Sequence, residues 1–139
     1  MRVSGSPVAI LPAGETARRA LRQRLEARRA ELLRLDTAQA GELATPASDR
    51  GEDTTPSQHP ADVASELERR EFILTLHVLY ARELGDVEAA IRRMDAGTYG
   101  LCVDCGRPIA AERLEALPHA ARDVDCERAR VRRRGPPAV

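Results

Sequence analysis

The sequence predicts a mainly α-helical protein: an antiparallel two-helix coiled-coil hairpin, then a small zinc-ribbon-like finger and a C-terminal helix. Three observations carry this expectation. Apolar residues recur at heptad-like spacing along two long stretches. A CxxC knuckle followed by glycine comes directly after the second stretch. Aromatic residues make up only 2% of the 139 residues, while the chain is still 42% hydrophobic and 32% charged. Ala, Leu, Arg and Glu are strong helix formers, and a narrow helical seam needs none of the bulky side chains that fill a compact globular core. The composition disfavours an all-β barrel and a large α/β enzyme. No apolar run approaches the ~20 residues of a membrane span.

Residues 1–14 contain Gly5, Pro7, Pro12 and Gly14 and read as a flexible N-terminal arm. Their apolar patch, Pro7 to Leu11, is too short for a secretory core, so a cytoplasmic protein is expected. The hairpin is expected over 15–97. Its first helix starts near Thr16, a candidate cap, and carries Leu21, Leu25, Leu32 and Leu35 on one stripe interrupted by Arg28. Gly41 supplies a stop. Residues 42–60, rich in Pro, Gly, Thr, Ser and Asp, read as the loop at the hairpin tip. The second helix opens at Pro60, with Asp62, Glu66 and Glu68 near its N-terminus, and ends at Gly97. Ile73, Leu76, Tyr80, Leu84, Val87, Ile91 and Met94 recur at gaps of three and four, the spacing of a coiled-coil seam. Some 36 helical residues would make a rod of about 54 Å. Neither stripe can be buried alone, and two helices joined by a loop pair most simply as a hairpin. Periodicity alone also allows a homodimeric coiled coil.

The formal charge of zero hides segregation. Residues 1–35 hold eight Arg against three Glu, and residues 36–68 hold eight acids against Arg50. Residues 101–127 hold six acids against three Arg, and the tail adds Arg128, Arg130, Arg132, Arg133 and Arg134. A tail of that kind is one route to phosphate contact and nucleic-acid binding. Against it stand the acidic finger and the shortage of aromatics for base stacking.

Cys102 and Cys105 form the knuckle, and Cys126 follows after 20 intervening residues. A ribbon of the form C-x2-C-x17-C-x2-C would need a cysteine where this chain has Asp123. The pattern C-x2-C-x17-D-x2-C still offers four ligands for one zinc ion per chain, because a carboxylate is an acceptable zinc ligand. His119 and Glu127 are alternative fourth ligands, and a finger held by packing without metal is the remaining alternative. A thioredoxin-like role for Cys102 and Cys105 lacks the βαβ context it would need. His59, His77 and His119 are scattered and no nucleophile–base pair or phosphate loop is visible, so no enzyme activity is expected.

Gly97-Thr98-Tyr99-Gly100-Leu101-Cys102, Cys105-Gly106-Arg107-Pro108-Ile109, Arg113-Leu114-Glu115-Ala116-Leu117-Pro118 and Cys126 together resemble the DksA/TraR family, as does His59-Pro60-Ala61-Asp62-Val63-Ala64. The likeness covers roughly residues 16–131. It implies a bacterial transcription regulator that binds RNA polymerase rather than a specific DNA sequence, acting as a monomer whose coiled-coil tip enters the secondary channel. The finger and C-terminal helix, expected over 98–134 before a short tail at 135–139, would sit at the base. The family's tip motif, D-x-x-D-x-A, falls on His59, Asp62 and Ala64, so the first acid is replaced. Asp49, Glu52 and Asp53 in the loop are candidate compensating charges. The family's basic ppGpp-binding positions fall on Asp86, Leu117 and Glu127, so the usual ppGpp site is not expected.

Overall fold

The computed structural model describes residues 14–45 and 60–135. Four helices account for most of these: α1, Glu15–Ala44; α2, Pro60–Asp95; α3, Ala111–Ala116; and α4, Val124–Arg134. An isolated antiparallel bridge pairs Leu101 with Pro108. The chain divides into two compact units, Arg29–Gly85 and the remainder. Both long helices contribute to both units.

In the Arg29–Gly85 unit, Leu32 is fully buried and Ile73 nearly so. Polar pairs then fix the direction of pairing. Asp36 Oδ1 lies 2.9 Å from His77 Nδ1, and further along α1 Glu42 pairs with Arg69, earlier on α2. Rising numbers on α1 meet falling numbers on α2, so the helices run antiparallel. The predicted stripe and seam line this interface: Leu35, Leu76, Tyr80 and Leu84 are half-buried. Val63, Leu67, Phe72, Leu74, Val78 and Leu79 lie off the seam and stay exposed.

Two predicted boundaries of α1 move. Gly41 does not stop the helix, which runs on to Ala44, with Thr45 N–H bonded to the Gly41 carbonyl at 3.1 Å. A lone glycine costs a helix about 1 kcal/mol, and neighbouring Ala, Glu and Leu offset it. Residues 42–44 are therefore helical rather than tip loop. Thr16 is not the cap either. The helix begins at Glu15, and the Gly14 carbonyl accepts the Arg18 N–H at 3.3 Å. Glycine is itself an acceptable N-cap.

The other unit gathers the start of α1, the end of α2, the finger and α4. Leu21, Leu25, Val87, Ala90, Met94, Tyr99, Ile109 and Leu114 form its core. Arg22 pairs with Asp95 at 2.6 Å, and Arg24 donates to the Glu115 carbonyl at 2.8 Å, which ties α1 to both α2 and α3. The C-terminus of α2 closes as a Schellman motif. Gly97 sits at φ +75°, its N–H reaches the Met94 carbonyl at 3.2 Å, and Thr98 N–H reaches the Arg93 carbonyl at 2.9 Å. Glycine at this left-handed position stops the helix and turns the chain into the finger.

Candidate metal centre

The finger is assembled backbone first. Between Gly100 and Ile109 the chain folds back on itself: Ile109 N–H bonds to the Gly100 carbonyl at 2.8 Å, and Cys102 N–H to the Arg107 carbonyl at 2.8 Å. Gly106 takes φ +72° and returns its N–H to the Cys102 carbonyl at 2.9 Å, so the knuckle closes tightly. Val103 N–H bonds to the Ala121 carbonyl at 2.9 Å and draws the second half of the donor set alongside. Tyr99 anchors the base, its hydroxyl donating to the Pro118 carbonyl at 2.8 Å. Burial pushes the Tyr99 phenol up to about 12, with Arg93 and Arg24 opposing. Arg93 lies near the His119 and Ala120 carbonyls, at 3.4 and 3.5 Å.

Cys102, Cys105, Asp123 and Cys126 converge, with their ligand atoms all within 4.8 Å of one another. Zinc–sulfur bonds of ~2.3 Å and zinc–oxygen bonds of ~2.0 Å imply donor separations of about 3.5–3.8 Å in a tetrahedron. The four atoms are within an ångström or so of that arrangement. Cys102 is buried, Cys105 exposed, and Asp123 and Cys126 lie between.

Asp123 has two tasks. It is the N-cap of α4, its Oδ1 accepting Cys126 N–H at 2.8 Å. The cap fixes the carboxylate plane, which leaves Oδ2 facing the thiols, 2.9 Å from Cys105 Sγ. The helix that Asp123 starts thus holds the residue at the place expected for a cysteine so that one oxygen is left to face a metal. Its cap role was legible in the sequence only as an Asp preceding a helical run.

As acids the four groups interfere with one another. The Cys105 hydrogen bond, and then that of Cys126 N–H, hold the Asp123 carboxyl well below the usual carboxylate range. Burial opposes ionisation of Cys102, but backbone N–H groups of Cys105, Asp123 and Asp104 outweigh it, so this thiol is lowered. The hydrogen bond with Cys105, followed by burial, pushes Cys126 up to about 12. Four acidic donors this close cannot all ionise unless a cation shares the space. The donor set fits zinc, which is held by thiolate and carboxylate ligands.

Neither alternative fourth ligand joins the cluster among the described residues. Glu127 is engaged by Arg130, at 2.6 Å, which lowers the Glu127 pKa. Asp62 and Ala64 lie exposed in the first turn and a half of α2, while His59, Asp49, Glu52 and Asp53 fall outside the described residues. At the positions of the family's nucleotide site, Asp86 and Leu117 are exposed and Glu127 is paired. In the tail, Arg128, Arg132, Arg133 and Arg134 have no acidic partner among the described residues. Arg132, Arg133 and Arg134 lie in the last turn of α4 and complement its C-terminal dipole, as Asp125 and Glu127 complement its start. No helix of the described residues is long and apolar enough to cross a membrane.

Comparison with known proteins agrees with this geometry. The prokaryotic dksA/traR C4-type zinc finger family matches residues 97–132. YteA of Bacillus subtilis is 44% identical over 62 residues, which is 45% of this chain and 26% of YteA. The RNA polymerase-binding transcription factor DksA of Caulobacter vibrioides is 34% identical over 73 residues, 52% of this chain and 51% of that protein. The chain therefore spans about half the length, or less, of these curated relatives. The solved structure of transcription factor DksA2 from Pseudomonas aeruginosa matches with a TM-score of 0.66 and 28% identity, covering 86% of this chain and 87% of that one. The finger match, the shared helical architecture and the convergence of Cys102, Cys105, Asp123 and Cys126 together identify residues 97–132 as a zinc finger of the dksA/traR type on a chain whose fold is similar to that of DksA2.

Proposed function

We propose that this chain is a bacterial transcription regulator that binds RNA polymerase and acts through the α1–α2 tip in the secondary channel, near the catalytic centre. The observation that carries the proposal is the likeness to DksA2 over most of both chains, which takes in the long helices as well as the finger. The Caulobacter relative, named as RNA polymerase-binding, supports the choice of partner.

In this reading the tip acts by electrostatics and position, with no covalent chemistry. His59, Asp62 and Ala64 face the polymerase active site, and Asp62 carries the fixed negative charge that the first tip position lacks here. Binding shifts the lifetime of the open complex by favouring one polymerase conformation over another. Zinc, one ion per chain on Cys102, Cys105, Asp123 and Cys126, holds the finger together. The chain works as a cytoplasmic monomer and recognises no specific DNA sequence. It forms no ppGpp site of the usual kind, because none of Asp86, Leu117 and Glu127 is basic and exposed Asp86 would repel a polyphosphate.

The test is a polymerase pull-down beside a promoter-lifetime assay. Asp62→Ala should bind polymerase nearly as well as the parent chain and lose its effect on transcription. Loss of both together would refute a tip that acts after docking. The rival reading is nucleic-acid binding through Arg128, Arg132, Arg133 and Arg134. It predicts a salt-dependent gel shift with plain duplex DNA, and such a shift without polymerase binding would replace the first reading.

A further inference from the structure

Arg107 is not one of the four donors, yet it faces two of them. Its Nε donates to Cys105 Sγ at 3.4 Å, and its Nη2 lies 3.8 Å from Asp123 Oδ2. These two donors come from opposite ends of the 17-residue spacer, one on the first knuckle and one at the cap of α4. A single guanidinium therefore bridges the two halves of the centre.

The charge of the centre explains why a cation belongs there. A divalent ion with three thiolates and one carboxylate carries two net negative charges. Other arginines of the finger and α4 are directed elsewhere. Arg122 binds Asp104 at 2.7 Å, Arg113 Nε donates to the Arg122 carbonyl at 3.0 Å, and Arg130 is held by Glu127. The contact with Asp123 is a charge contact longer than a hydrogen bond, so Oδ2 keeps a lone pair for the metal while Oδ1 is held by α4. An N–H donor on a thiolate sulfur likewise spreads its charge without taking its place as a ligand. A carboxylate binds a borderline-soft ion less firmly than a thiolate does, so a centre with Asp123 in the place of a cysteine leans more on charge outside the donor set.

We propose that Arg107 is an outer-sphere positioning residue that ties Cys105 to Asp123, offsets part of the excess negative charge, and sets the metal affinity of the centre. This rests on the zinc assignment and is independent of the polymerase reading. Partners just outside a metal's ligands are typically worth about 10- to 100-fold in affinity. Arg107 is 64% exposed, which puts the expectation at the lower end of that range.

The test uses the full chain loaded with zinc and competed against a chromophoric chelator, with Arg107→Gln and Arg107→Lys beside the parent. Arg107→Gln should weaken zinc by about tenfold. Its deficit should shrink as salt rises from ~0.1 M to ~1 M, where the screening length falls from about 10 Å to 3 Å. Arg107→Lys should recover part of the affinity, since it keeps the charge and loses the fork. With cobalt in place of zinc, the thiolate charge-transfer bands of Arg107→Gln should match the parent, because the donors are unchanged. Zinc affinity within twofold of the parent, equal loss in the Lys and Gln variants, or a deficit indifferent to salt would each overturn the proposal. A parent chain that takes up no zinc would remove the metal assignment itself.

Discussion

Substitution at Asp123 separates two roles that one carboxylate performs through different oxygens. Oδ1 caps α4 on Cys126 N–H at 2.8 Å, and Oδ2 faces Cys105 Sγ at 2.9 Å. Asp123→Asn keeps a good N-cap but offers a neutral amide to the metal. Asp123→Ala removes both functions. Asp123→Cys restores a four-thiolate set and weakens the cap. Losing an N-cap typically changes a helix equilibrium by about fivefold. Structural zinc sites bind with about seven to twelve decades of affinity, so an even share per ligand is two to three decades. Zinc affinity by chelator competition should therefore fall by about 100-fold in both Asp123→Asn and Asp123→Ala and be retained in Asp123→Cys. Helicity of the metal-free protein by circular dichroism should fall in Asp123→Ala and hold in Asp123→Asn. If Asp123→Asn binds zinc as tightly as the parent, Asp123 is no ligand. If the Asn and Ala variants lose metal-free helicity equally, the cap is not what orients the carboxylate.

Two further outcomes follow from single contacts. The Tyr99 phenol is raised in the folded chain from 10.0 to about 12, so its neutral form stabilises the fold fully below pH 10, and that contribution is lost as pH rises towards 12. Tyr99→Phe should remove the hydrogen bond to Pro118 at about 1 kcal/mol and flatten the alkaline limb of a pH-dependent melt; a limb unchanged in the variant would refute the assignment. Gly41 is helical with nothing within 4 Å of an added Cβ. Gly41→Ala should therefore stabilise the protein by about 0.5–1 kcal/mol in denaturant unfolding, and a loss of stability would show that α1 is not continuous there.

Much of the fold was legible because helix pairing writes itself into sequence at a fixed period. The seam from Ile73 to Met94 and the stripe from Leu21 to Leu35 are the faces that become buried or half-buried, and Gly97 ends α2 as expected, which it does in a left-handed conformation. Gly41 shows the limit of local signals. A glycine ends a helix only where the chain must turn, and here flanking helix formers carry α1 through it. At the metal centre, the spacing C-x2-C-x17-D-x2-C named all four residues whose ligand atoms converge. It left His119 and Glu127 open as substitutes for Asp123, because distance along the chain does not say which acid faces a cluster.

The sequence by itself determined the two helical seams, the knuckle, the family likeness and the candidate donor set, since each depends on spacing within one element or one motif. Only the tertiary structure decided what each polar group faces. It gave Glu127 to Arg130, divided Asp123 between α4 and the thiols, and turned Arg107 onto both halves of the centre. Those outcomes depend on which groups from distant stretches share a few ångströms, and a hydrogen bond or a screened charge falls away beyond that range.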